Sequence, residues 1–256
     1  MNLKFSKYQG TGNDFVIIDD RTESFDVNDV SLISRLCDRK FGIGADGLML
    51  LRNAEGYDFR MIYFNADGKE GSMCGNGGRC LVQFAHDIGV IADEAKFIAV
   101  DGGHTAFLKE GKIHLHMIDI AVYQNVDDTY FMDTGSPHHV AFVDDVKQLD
   151  VVTEGANIRH SEQYAPAGTN VNFVELVSKN KISVRTFERG VEDETLSCGT
   201  GVTACALSTY LREGISSPVT IDVVGGELSV SFDEHNDSFT NVYLIGPATF
   251  VFKGEV

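Results

Sequence analysis

Two cysteines of this chain stand in the same local context, Cys74-Gly-Asn-Gly and Cys198-Gly-Thr-Gly. After the first, Leu81, Phe84, Ala85 and Ile88 fall at helical spacing and Gly89 can stop the helix. After the second, Val202, Cys205, Ala206, Thr209 and Tyr210 form the stripe and Gly214 the stop. A cysteine at a helix N-terminus meets unpaired backbone N–H groups and the positive end of the helix dipole. That setting lowers a thiol pKa from about 8.5 into the range of roughly 3.5–7.5, which makes the group a usable base near neutral pH. The neighbouring glycines lack Cβ, so a carboxylate can reach the N–H groups of residues 75–77 and 199–201. Each motif therefore offers one proton carrier and one anion cradle. Two such carriers on opposite faces of one carbon are what stereoinversion requires. A thiolate takes the α-proton, and a thiol delivers another from the far side. Converging N–H groups stabilise the enolate-like charge of the carboxylate, and one such donor is typically worth about 2.7–4 kcal/mol. This chemistry needs no cofactor and no metal.

The elements that must position the cysteines are themselves repeated. Gly10-Thr-Gly-Asn13-Asp-Phe-Val-Ile-Ile-Asp19 is similar to Gly135-Ser-Pro-His138-His-Val-Ala-Phe-Val-Asp144. Gly42 to Leu51 loosely matches Gly168 to Leu176, Phe64-Asn65 faces Phe187-Glu188, and Gly102-Gly103 faces Gly225-Gly226. All these blocks, with the cysteine motifs, keep one order and an offset of about 125 residues, which reads as a tandem duplication and not a solenoid. The expected fold is α/β of the α+β type. Two pseudo-symmetric lobes would each wrap a mostly antiparallel sheet or barrel around a central helix, with the active site in the cleft between them. The lobe carrying Cys74 is expected at residues 1–117 plus 247–256, and the lobe carrying Cys198 at 118–246. Strand-like runs cover Phe15–Asp19, Asp58–Phe64, Lys96–Val100, His104–Lys109 and Lys112–Met117 in the first half. In the second they cover Val171–Val177, Ile182–Phe187, Val219–Val224, Leu228–Asp233 and Asn241–Ile245. The N-terminus, Met1 to Ile18, reads as a strand entering a turn and not as a signal peptide, and Ser31–Arg39 as a weaker helix.

Composition narrows the partners. The 256 residues carry a formal charge of −17, which repels phosphate backbones and anionic lipid and argues against nucleic acid and membrane. No stretch approaches the roughly 18 apolar residues of a membrane span. Five cysteines are too few and too scattered for a disulfide scaffold, which points to a reducing, cytoplasmic setting. Cys37, Cys80 and Cys205 read as small buried hydrophobes. Zinc spacing, a Cys-x-x-Cys redox pair and a phosphate-binding Gly-Lys-Ser/Thr are absent. The pairs His114/His116 and His138/His139 are weak metal candidates, and no metal site is expected.

Met73-Cys-Gly-Asn-Gly-Gly-Arg-Cys80 and Ser197-Cys-Gly-Thr-Gly201 resemble the diaminopimelate epimerase family of cofactor-independent two-cysteine racemases. Gly10-Thr-Gly-Asn13-Asp-Phe15, Phe64-Asn65-Ala-Asp-Gly68, Gly168-Thr-Asn170 and Phe187-Glu188-Arg189-Gly190 fit it in the same order, over essentially the whole chain. The resemblance implies interconversion of LL- and meso-diaminopimelate, on the route to lysine and peptidoglycan. It implies that Cys74 and Cys198 are the acid/base pair. The N–H groups of Gly75, Asn76, Gly199 and Thr200 would hold the reacting carboxylate. Asn13, Asn65, Ser136, Asn170, Glu188 and Arg189 would hold the ammonium groups and the distal carboxylate. His138 and Glu188 would tune which cysteine carries the proton. The family is often dimeric, so a homodimer is an expectation of the resemblance.

The chain departs from the family at three places. Gly135-Ser136-Pro137-His138-His139 stands where Gly-Asn-Pro-His-Cys is common, so Ser136 replaces an Asn that contacts the distal end. Gly47 stands where a Gln is common. The stretch Gly190–Cys198 is one residue longer than usual. Proline and hydroxyproline racemases share the two-cysteine chemistry but usually read Met-Cys-Gly-His, whereas residue 76 is Asn.

Overall fold

A computed structural model describes residues 3–236 and 238–256. Residues 1 and 2 of the expected N-terminal strand lie outside the described residues. The elements run β1 (Lys4–Gly10), β2 (Asn13–Asp19), α1 (Val30–Cys37), β3 (Gly47–Ala54), β4 (Tyr57–Asn65), α2 (Gly75–Asp87), β5 (Glu94–Ala99), β6 (Gly102–Lys109) and β7 (Lys112–His116). There follow β8 (Tyr123–Val126), β9 (Thr129–Asp133), β10 (Pro137–Phe142), α3 (Val151–Arg159), β11 (Asn170–Ser178), β12 (Lys181–Glu188), β13 (Asp193–Thr195), α4 (Gly199–Glu213), β14 (Val219–Val223), β15 (Gly226–His235), β16 (Ser238–Gly246) and β17 (Thr249–Glu255). The chain divides into one compact unit up to Leu115 that also takes Gly246–Val256, and a second unit of His116–Ile245.

In the first unit the strands bond in the order β17-β1-β2-β3-β4-β5-β6-β7. The pairs β2/β3 and β4/β5 are parallel and the others antiparallel. In the second the order is β8-β9-β10-β11-β12-β14-β15-β16, with β10/β11 and β12/β14 parallel and the rest antiparallel. Only the short β13, added to β12, breaks the match. The internal repeat of the sequence is thus a repeat of pairing order and strand direction.

Strands β2 and β3 are buried on both faces, which is why they read as unbroken apolar runs, Phe15-Val16-Ile17-Ile18 and Leu48-Met49-Leu50-Leu51. Val16, Ile18, Leu48 and Leu50 pack under α1 with Ile33, Leu36 and Cys37. On the other face, Phe15 and Met49 approach the first turn of α2 at Gly77. In the second unit α3 takes the place of α1. The sequence pattern predicts no helix there, because Val151, Val152, Thr153 and Gly155 are weak helix formers. Tertiary packing overrides that preference. Val151 is buried with Val171, Phe173 and Phe187. Asp150 caps the helix by accepting from the Thr153 N–H at 3.1 Å. Gly155 crosses β12 so closely that a Cβ there would lie 2.3 Å from Phe187 Cβ. Helix α1 spans Val30–Cys37, two residues short of the expected end, because Asp38 turns the chain and accepts from the Lys40 and Phe41 N–H groups.

Among the described residues no helix is long and apolar enough to cross a membrane. No group of three or more His, Cys, Asp or Glu among them is placed to hold a metal ion. His138 and His139 point to opposite faces of β10, as the two-residue period of a strand requires. One bonds α4 and the other the Tyr164 hydroxyl, so they share no ligand.

Candidate active site

Cys74 and Cys198 are the N-cap residues of α2 and α4, both with extended backbone. Neither side chain accepts a capping hydrogen bond from its helix. An α-helix leaves its first N–H groups without intrahelical partners, so each cysteine sits beside a set of donors suited to an anion. Both thiols are half-buried, whereas Cys37, Cys80 and Cys205 are buried. Burial pushes the Cys37 thiol up to about 11 and the Cys80 thiol up to about 12, and it also raises Cys205 strongly. Those three remain protonated near neutral pH.

The second glycine of each motif has a packing role in addition to any access it gives to an anion. A Cβ on Gly77 would meet Met49 Sδ at 3.2 Å and Cys74 Cβ at 3.6 Å. A Cβ on Gly201 would fall 2.4 Å from Asn172 Oδ1 and 3.3 Å from both Cys198 Cβ and His138 Cε1. Both helices therefore start against the fourth strand in the pairing order of their own unit, and at Gly201 a Cβ would require the Asn172 side chain to move.

Around Cys74, the sulfur lies 3.7 Å from Asn13 Oδ1. Asn13 is oriented by Asp46, whose Oδ2 accepts from Asn13 Nδ2 at 2.6 Å and from the Asp14 N–H at 3.2 Å. Asp14 bonds buried Lys7 at 2.7 Å and Arg39 at 2.6 Å. Burial alone would raise the Asp14 carboxyl, but Arg39 and Lys7 outweigh it and hold it at about 2. This network of Lys7, Asp14, Arg39 and Asp46 has no single-motif signature in the sequence. Arg79 is another residue that sequence reasoning leaves without a role. Its side chain is fully buried, and its guanidinium donates to Asn76 Oδ1 at 3.0 Å, Gly75 O at 3.4 Å and Thr11 Oγ1 at 3.4 Å. It ties the first turn of α2 to the β1–β2 turn. Asn65 ends β4, where its N–H and C=O close the turn to Gly68 and Lys69. Gly47 at the start of β3 has no room for a side chain. A Cβ there would lie 2.6 Å from the Phe64 carbonyl oxygen and 2.5 Å from the Tyr63 ring. Tyr63 occupies that space and meets Phe15 edge-on at 6.0 Å.

Around Cys198 the polar groups form one connected set. Cys198 Sγ lies 3.4 Å from Thr200 Oγ1. That hydroxyl lies 2.8 Å from His138 Nε2 and 3.2 Å from Ser136 Oγ. Asn170 Nδ2 donates to Ser136 Oγ at 3.3 Å and to the Pro137 carbonyl at 3.0 Å, while its Oδ1 accepts from the Arg189 N–H at 2.9 Å. Asn172 completes the set from the same face of β11, and nothing in the motifs marks it except its two-residue spacing from Asn170. Burial holds the His138 imidazole down at about 3, with the nearby Arg189 charge acting in the same direction. The Arg189 guanidinium bonds the Ala167 and Gly168 carbonyls at 3.4 Å, and none of its contacts among the described residues is a carboxylate. Glu188 ends β12, half-buried beside it.

The structure thus gathers Asn13, Cys74, Gly75 and Asn76 in one unit and Ser136, His138, Asn170, Cys198, Gly199 and Thr200 in the other, with Glu188 and Arg189 at the end of β12. Residues 5–117 and 130–251 match the sequence model of a family described as diaminopimelate epimerase. The chain is 51% identical over 253 residues to a diaminopimelate epimerase of Flavobacterium psychrophilum, covering 98% of this chain and 99% of that one. It is 46% identical over 258 residues to a diaminopimelate epimerase of Chlorobaculum tepidum, covering 96% and 98%. In fold it is similar to the crystal structure of a phenazine biosynthesis protein of the PhzF family from Bacillus anthracis. That likeness has a TM-score of 0.79 at 12% identity over 100% of this chain and 99% of that one.

Proposed function

The chain belongs to the diaminopimelate epimerase family and is an isomerase of that class, and from that premise we propose that it interconverts LL- and meso-diaminopimelate by a two-base mechanism. Cys74 and Cys198 serve opposite faces of one α-carbon. One removes the α-proton as thiolate, and the other, as thiol, delivers a proton to the opposite face. Electrons left on the α-carbon spread into the carboxylate, and the N–H groups of Gly75, Asn76, Gly199 and Thr200 hold that charge. Arg189 receives the distal carboxylate, since its guanidinium now bonds only neutral carbonyls. Glu188 balances the distal ammonium group, and Asn13, Asn65 and Asn170 complete the cradle. The single observation that carries this reading is the placement of both half-buried thiols as N-caps of equivalent, uncapped helices in two units of matching topology.

The test is incubation of the pure protein with LL-diaminopimelate, with the stereoisomers resolved by chromatography. Formation of the meso isomer supports the reading, and its absence removes it. Proline in place of diaminopimelate tests the racemase alternative.

A homodimer is part of the proposal. Strand β17 bonds β1 and leaves Phe250, Val251 and Phe252 all 44–50% exposed, beside Phe41 at 80%. A second copy that covers this strand buries them. Light scattering at working concentration should give twice the chain mass, and Phe250→Glu should return the monomer. A monomeric parent protein contradicts it.

A further inference from the structure

The two units present different hydrogen-bonding groups near their cysteines. In the first unit Asn13 offers its Oδ1 to Cys74, because its Nδ2 is committed to the Asp46 carboxylate, which can only accept. In the second unit the group beside the Cys198 neighbour Thr200 is His138, which by strand register answers to Phe15 of the first unit, and what it can offer depends on its tautomer.

That tautomer is fixed by a residue outside the motifs. Asn172 Nδ2 donates to the His139 carbonyl at 3.0 Å, an atom that can only accept. The same Nδ2 lies 3.0 Å from His138 Nδ1, and Asn172 Oδ1 accepts from Thr186 Oγ1 at 3.0 Å. The amide cannot turn over without facing a carbonyl with its own oxygen. His138 Nδ1 therefore accepts, and the hydrogen of the neutral ring sits on Nε2, facing Thr200 Oγ1 2.8 Å away and Ser136 Oγ 3.0 Å away. Asn170 is pinned in the same way by the Pro137 carbonyl and donates to Ser136 Oγ. Ser136 can then give its own hydrogen to Thr200. With donors arriving from His138 and Ser136, the Thr200 hydroxyl is left to donate towards Cys198 Sγ at 3.4 Å.

We propose that Asn172 is a positioning residue for the chemistry at Cys198: anchored on the His139 carbonyl, it holds His138 as the Nε2–H tautomer and so aims the Thr200 hydroxyl at the sulfur as a donor. Its counterpart in the first unit is Met49, and that of His138 is Phe15, so the first unit has no such device. The charged group that acts on His138 is Arg189 from the end of β12, and Cys198 from α4 lies beyond Thr200. His139 faces away, towards Tyr164. None of these supplies an acceptor that would draw the hydrogen to Nδ1. The inference rests on Cys198 as a proton carrier, but its test needs no substrate, so its failure is distinct from failure of the epimerase reading.

The experiment is ¹⁵N NMR of the imidazoles in the whole protein, with His138 assigned by comparison with His138→Gln. The expected spectrum shows neutral His138 with its proton on Nε2 across the neutral range. Asn172→Asp places an acceptor against Nδ1 and should move the proton there or charge the ring. The alkylation profile of Cys198, mapped by peptide, should shift with it by about one pH unit, a tenfold change in rate at fixed pH. Asn172→Ser, which keeps a donor, should stay nearer the parent. A parent ring protonated on Nδ1 overturns the proposal. So does a folded Asn172→Asp protein whose ring tautomer and Cys198 profile do not move. Should Asn172→Asp fail to fold, the parent spectrum alone decides.

Discussion

His138 Nε2 lies 2.8 Å from Thr200 Oγ1, and the imidazole is fully buried and neutral. This has a consequence for acid stability. Burial holds the folded imidazole at about 3, below the ordinary 6.5 of the unfolded chain. Between those values only the unfolded state binds the proton, so stability conferred by His138 is present above pH 6.5 and is lost progressively as pH falls towards 3. Thermal melts across this window should show His138→Gln losing less on acidification than the parent. Parallel losses in the two proteins would show that the ring takes up no proton on unfolding.

Arg189 has a guanidinium bonded only to the Ala167 and Gly168 carbonyls at 3.4 Å. Arg189→Ala should raise KM far more than it lowers kcat, by about 2–3 kcal/mol of lost binding, since a charge-assisted pair is among the stronger hydrogen-bonded contacts. Arg189→Lys should recover part of it. An unchanged KM in Arg189→Ala would place the distal carboxylate elsewhere.

Gly47 lies where a Cβ would approach the Phe64 carbonyl oxygen to 2.6 Å. Restoring the glutamine common in the family, Gly47→Gln, should therefore destabilise this chain by about 1–3 kcal/mol, read as a lower Tm. Combining it with Tyr63→Ile should return part of the loss, because the ring at 2.5 Å is the second obstacle. A Gly47→Gln protein as stable as the parent would mean that the strands at Gly47 and Phe64 have room the present geometry denies.

Much of this was legible in the residues. The duplicated blocks, the two Cys-Gly-x-Gly starts and the helices behind them carry periodicity or glycine signals that survive in one dimension. Strand β3 was harder to read, because Leu48-Met49-Leu50-Leu51 is buried on both faces and a continuous apolar run has no period. Helix α3 is held by packing against Phe173 and Phe187, which no local preference reveals. In the site, Asn13, His138 and Thr200 sit within the repeated motifs, at strand starts and in the first turn of α4. Asn172, the Arg79 bond to Thr11 and the set of Lys7, Asp14, Arg39 and Asp46 depend on partners distant in sequence, which the fold brings together. Gly77 and Gly201 were visible as anion access, while their packing against Met49 and Asn172 depends on the fold.

The central claim is that both thiols are required for one inversion. The direct measurement is reaction of LL-diaminopimelate in D₂O with the parent protein and with folded Cys74→Ala and Cys198→Ala. The parent should yield the meso isomer with deuterium at the inverted α-carbon, and neither variant should form it. Formation of deuterated meso product by either single variant at a rate near the parent's would contradict the account.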